Sequence, residues 1–188
     1  MPPRYINDAF RRMVENNTQP LGHDTVTGLW THIFGRYYSM DDDFFIKPEA
    51  MLPYRPNERA DEIVALLNIK GVIESTCIVL EVKPEGNADT WDAARGQAYG
   101  YIKAGLNKKT HKTIGIVAKG RKFVMFEVPG GNADSLSHFV NLGLNNDGTQ
   151  HPLGVPYDII DHADHLEQHL LQIWTDAKNG EFIDKLLT

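Results

Sequence analysis

The sequence predicts an α/β protein, of α+β character, built on a central mixed β-sheet flanked by helices. Three observations predict it. Two helical apolar patterns open the chain, four short apolar runs rich in β-branched residues fill its middle, and helical periodicity returns near the C-terminus. At 188 residues, with 41% hydrophobic and 23% charged, the chain has the length and composition of one ordinary domain around one core.

Residues 5–16 set Ile6, Ala9, Phe10 and Met13 at helical spacing before Asn16, Asn17 and Pro20 break the pattern. Residues 25–38 give a second helix, with Leu29, Trp30, Ile33, Phe34 and Tyr37 in a stripe whose aromatic bulk is read as core. Three acids at 41–43 read as a solvated turn, and Pro48, Pro53 and Pro56 follow, so residues 39–57 are expected to be mostly irregular. Residues 1–57 are thus a helical lead-in to the core.

The core itself spans residues 59–128. Residues 59–67 and 76–83 read as two strands of a hairpin turning at 68–71, punctuated by Gly71 and Pro84. Asp89 and Thr90 are good caps for a helix over 91–105 with Ala94, Ala98, Tyr101 and Ile102 apolar. Gly96 and Gly100 on that helix are expected to allow close packing on the sheet, because no strand-turn-helix glycine signature surrounds them. Residues 113–118 and 122–128 form a second apolar pair around Lys119, Gly120 and Arg121. Residues 129–188 complete the single domain with helices at 135–142 and 161–176 and an Asn/Gly/Pro-rich loop at 144–158.

No apolar run approaches the roughly 18 residues of a membrane span, and the first residues lack the apolar stretch and cleavage site of a secretory signal. Cys77 is the single cysteine, so no intrachain disulfide forms, and its apolar run makes it a buried inert thiol rather than a nucleophile. An intracellular protein, cytoplasmic or nuclear, with no membrane partner is expected.

The net charge of −6 argues against a protein coated in basic charge, but the distribution is uneven. Residues 93–126 contain no carboxylate and eight cations, Arg95, Lys103, Lys108, Lys109, Lys112, Lys119, Arg121 and Lys122, which leaves the remainder at −14. One positive surface on an acidic protein suits a phosphate backbone led to a carboxylate-rich site. A solvated basic loop is the plainer alternative. His111, in the same stretch, touches phosphate or only water. His162, His165 and His169 share a helical face, yet no H-E-x-x-H or comparable motif accompanies them, so a solvated or partner-facing helix is preferred over zinc.

Side chains in a strand alternate faces, so Cys77, Val79, Glu81 and Lys83 share one side and Ile78, Leu80 and Val82 the other. Glu81 and Lys83 would then have Cα atoms roughly 6.6 Å apart, within reach of one phosphate or one water. An acid and an amine at the end of an apolar run are costly to bury unless paired, hydrogen-bonded or metal-bound. A hairpin centred on Gly71 places Asp61 opposite Glu81, whereas a bulge would bring Glu62 or a neighbour there instead. Two converging carboxylates suit Mg²⁺ or Mn²⁺.

Asp61, then Glu81-Val82-Lys83, then a helix bearing Gln97 resembles the PD-(D/E)XK, restriction-endonuclease-like nucleases over residues 59–128. The resemblance implies an αβββαβ core, Asp61 and Glu81 as metal ligands with the Val82 carbonyl as a third, and Lys83 as the catalytic lysine. It adds Gln97 to the catalytic set, and Tyr101 one turn later either positions a phosphate or packs. Ala60 stands where the family name has proline, and Glu15 is the candidate for the family's helix-one glutamate. The implied activity is Mg²⁺-dependent hydrolysis of a DNA or RNA backbone, by a monomer or a homodimer. The alternative is a nuclease-like fold without catalysis that binds nucleic acid or protein.

Overall fold

The aromatic helix near the N-terminus and the β-branched runs after it organise the chain into layers. The computed structural model describes residues 5–16, 19–52, 55–67, 74–105, 112–129, 138–139, 152 and 154–182. Two helices, α1 (Asp8–Glu15) and α2 (His23–Gly35), lead through a 3-10 turn at Met40–Asp42 into strands β1 (Phe44–Leu52), β2 (Arg55–Leu67) and β3 (Glu74–Lys83). Helix α3 (Trp91–Gly105), strands β4 (Thr113–Lys119), β5 (Lys122–Val128), β6 (His138–Phe139) and β7 (Tyr157–Asp158), and helix α4 (Ala163–Lys178) follow. The fold class is mixed α/β, as the sequence predicts.

Among the described residues seven strands form one mixed sheet in the order β1-β2-β3-β4-β5-β6, with β7 also on β5. Every pair is antiparallel except β3 and β4, which run parallel and are joined through α3, as a parallel crossover requires. One face is covered by α1, α2 and α4: Phe10, Leu29, Trp30, Phe34, Leu166 and Leu170 pack there with Ile78, Leu80, Ile116 and Phe123. The other is covered by α3, whose Ala94, Ala98, Tyr101 and Ile102 meet Ile63, Val79, Val117 and Phe126. The aromatic stripe of α2 is therefore core, Trp30 packing edge-on to Phe123 at 5.4 Å between ring centres.

Residues 39–57, expected to be mostly irregular, instead contain β1 and the start of β2. The prolines mislead because, among the described residues, β1 pairs with β2 alone. Pro48 stands opposite Glu62 on an outer strand, where a missing N–H breaks no second ladder. The helix expected at 135–142 is contradicted at its described positions, where His138 and Phe139 pair with Glu127 and Phe126. An open edge on β5 offers backbone partners that local helical periodicity does not reveal. The turn at 68–71 lies outside the described residues.

Two glycines are fixed by close approach. A Cβ on Gly115 in β4 would fall 2.1 Å from Phe126 Cζ, so the ring occupies the space a side chain would fill. Gly120, in the β4–β5 turn, has φ +60, and a Cβ there would lie 2.8 Å from Glu85 Cβ. Gly96 and Gly100 correct the expectation of close packing, since a Cβ on either would meet nothing within 4 Å.

Candidate active site on the central strands

The β2–β3 register brings the acids together. Glu62 pairs with Leu80, Ile63 with Val79 and Val64 with Ile78, which puts Asp61 next in line for Glu81. Ala65 then pairs with Thr76, so Cys77 is the extra residue of a bulge. That bulge corrects the alternation expected for Cys77: it is buried among the α2-side residues with Ile78, whereas Val79 faces α3. The bulge lies on the hairpin side of the site, leaving Val79, Glu81 and Lys83 in step. As expected, Cys77 is buried, and burial pushes its thiol up to about 12, which makes it a poor nucleophile.

Lys83 Nζ donates to Glu81 Oε1 at 2.7 Å, with the two side chains only 15% and 5% exposed. Asp61 Oδ2 accepts from the Val82 N–H at 2.6 Å, which locks this carboxylate to the same stretch of β3. Burial pushes the Glu81 carboxyl up to about 7; Lys83 opposes the rise and the Asp61 charge adds to it.

Sequence reasoning missed one partner of this cluster, His23, and the register leaves Glu62, the alternative named for a bulge, opposite Leu80 instead of Glu81. His23, the first residue of α2, places Nε2 3.0 Å from Asp61 Oδ1. The helix was expected to begin at Thr25, but Gly22 serves as the N-cap and adds two residues to the front, bringing the imidazole over the strand. Glu62 is fully buried, and burial pushes its carboxyl up to about 7 against the opposing hydrogen bond with Thr31. Thr31 Oγ1 lies 2.8 Å from Glu62 Oε1 and 3.0 Å from the Thr27 carbonyl. One hydroxyl hydrogen serves one acceptor at a time, so Thr31 donates either to Glu62 Oε1 or to the Thr27 carbonyl. His23 carried no local sequence signal.

The other expected residues are spread more widely. Gln97 is exposed on α3, and among the described residues no hydrogen bond joins it to the cluster. Tyr101 is buried in the α3-side core. Arg95 pairs with Asp92 at 3.2 Å along the helix. Lys103 and Lys122 are exposed, while Lys119 donates to the Asp89 carbonyl at 2.9 Å. Lys112 is bound to Asp176 at 3.0 Å, and Arg121 grips Asp158 with two donors at 2.5 and 2.9 Å. These two cations tie the sheet to the C-terminal segment, which narrows the basic surface read from residues 93–126. Lys108, Lys109 and His111 lie outside the described residues.

Asp61, Glu81 and the Val82 carbonyl are hard oxygen donors of the kind Mg²⁺ and Mn²⁺ prefer, so the residues present fit such a cation. Among the described residues no group of three or more His, Cys, Asp or Glu side chains is placed to hold a metal. Among the described residues no helix is long and apolar enough to cross a membrane. Comparison with protein-family models, curated proteins and solved structures finds no match to this chain.

Proposed function

We propose that the chain is a PD-(D/E)XK-type phosphodiesterase that hydrolyses the backbone of DNA, or of RNA, with one or two Mg²⁺ ions. The observation that carries this reading is the convergence of Asp61, Glu81 and Lys83 on one end of the central strand pair, with Lys83 held 2.7 Å from Glu81 and Asp61 held by the Val82 amide. The element order from α2 through β1, β2, β3 and α3 to β4 supports it, being the αβββαβ order of that family.

Asp61, Glu81 and the Val82 carbonyl would hold the ion, which when bound supplies charge neutralisation at the phosphate and an activated water. Lys83 brings a point charge to the non-bridging oxygens as negative charge grows on them during in-line attack. Glu81 aims that ammonium through their hydrogen bond. The Val82 amide and His23 hold the two oxygens of Asp61 and so limit its rotation. Burial keeps the field of these few charges strong, because little water screens them.

The test is cleavage of plasmid and single-stranded substrates by the purified protein with and without Mg²⁺ or Mn²⁺. Metal-dependent cleavage that disappears in a Glu81→Ala, Lys83→Ala double variant is expected. Full cleavage by that variant would overturn the assignment. Salt-sensitive nucleic-acid binding without cleavage in any metal would instead favour a binding module.

A further inference from the structure

The hydrogen bonds leading outward from Asp61 return to the strand that holds it. His23 lies 3.0 Å from Asp61 Oδ1, and two residues earlier Leu21 is anchored in the core at 3% exposure. The Leu21 carbonyl accepts from the Glu85 N–H at 2.8 Å, and the Leu21 N–H donates to Glu85 Oε2 at 3.0 Å. Glu85 lies three residues beyond Val82, whose N–H donates to Asp61 at 2.6 Å. The path from Asp61 through His23, Leu21, Glu85 and Val82 back to Asp61 is closed, and Lys83 sits on its covalent arc.

Glu85 is itself braced. Its side-chain stem lies against Gly120, where a Cβ would come within 2.8 Å, and the Gly120 N–H reaches the Lys83 carbonyl at 3.4 Å. Its side chain is exposed, yet it holds Leu21 by both backbone and carboxylate. A merely solvated glutamate has no need of either contact. We infer that Glu85 is a positioning residue: by clasping Leu21 it fixes the start of α2, so that His23 keeps Asp61 on the Val82 amide. The role concerns the site proposed above and rests on that reading for its catalytic meaning, while the closed path is a property of the folded chain.

Amide hydrogen exchange on the full-length protein tests this without requiring catalysis. In Glu85→Ala the Val82 amide should exchange about fivefold faster, the factor set by one net hydrogen bond, while Val79 and Leu80 stay unchanged. Glu85→Gln keeps an acceptor for the Leu21 N–H and should restore the protection. If Glu85→Ala does not fold, Glu85→Asp withdraws the acceptor by one methylene and should show the same acceleration. Because Glu85 acts through His23, a Glu85→Ala, His23→Ala double variant should exchange at Val82 no faster than His23→Ala alone. Unchanged Val82 exchange in the folded Glu85 variants, or additive effects in the double variant, overturns the inference. A wild-type protein that cleaves nothing in any metal overturns the phosphodiesterase reading instead and leaves the exchange result to decide on Glu85.

Discussion

Asp158 and Glu81 are both carboxylates on strands of one sheet, and each stands beside a cation. Asp158 receives two donors from Arg121 and the backbone N–H groups of Ile160 at 2.9 Å and Asp161 at 3.3 Å. Its lone pairs are filled, so it staples the β4–β5 turn to the segment entering α4. Glu81 has one amine at 2.7 Å and a second carboxylate, Asp61, whose charge raises its own proton affinity. Asp158 is filled by four donors, whereas among the described residues Glu81 receives one, which leaves lone pairs that a divalent cation would take.

The contrast gives predictions of falling size. The largest concerns chemistry: Lys83→Met should lower the rate of metal-dependent cleavage by about 100-fold or more, the scale seen when one preorganised group stabilising transition-state charge is removed. Equal turnover by wild type and variant in a single-turnover assay would contradict it. Asp158→Ala should act on stability instead, losing about 2–3 kcal/mol because a charged hydrogen-bonding centre is removed and Arg121 is left half-buried without it. Urea unfolding monitored by fluorescence measures this, and cleavage per folded molecule should be nearly unchanged.

The same contrast should appear in pH dependence. Glu81 and Glu62 are both pushed up from 4.5 to about 7 by burial, so the folded protein binds protons that the unfolded chain releases at lower pH. Their contribution to stability is fully present below pH about 4.5 and is lost as pH rises through about 7, by at most about 3 kcal/mol for each group. Unfolding free energies between pH 5 and 8 should therefore fall with pH more steeply in wild type than in a Glu81→Gln, Glu62→Gln double variant. Parallel curves would contradict this. The smallest effect is at His23, 46% exposed at the rim: His23→Ala should slow cleavage about tenfold through a looser Asp61, with little change in the unfolding midpoint.

Much of this architecture was legible in the sequence because the signals are local. The apolar period of α2, the β-branched run of β3, the Thr90 cap that accepts from the Ala93 N–H at 3.1 Å, and the Gly120 turn each depend on neighbours a few residues away. The co-facial Glu81 and Lys83 follow from strand alternation alone. What failed is what depends on distant partners. Proline at 48 reads as a breaker until β1 is known to be the outer strand, and Cys77 reads as in step with Val79 until the bulge opposite Val64 and Ala65 is seen. Arg121 and Lys112 looked like free phosphate-binding charge because Asp158 and Asp176 lie 37 and 64 residues away. His23 was hidden for the same reason, its contact with Asp61 spanning 38 residues.

The claim beneath all of this is that the Asp61–Glu81 cluster has carboxylate oxygens to offer a divalent cation, whereas the Asp158 carboxylate is already filled by its donors. Calorimetric titration of the purified protein with Mn²⁺ tests it directly when wild type is set beside Glu81→Gln and Asp158→Asn. Saturable binding in wild type and Asp158→Asn that is lost in Glu81→Gln is the predicted result. Binding that survives Glu81→Gln, or no binding in wild type, would contradict the account.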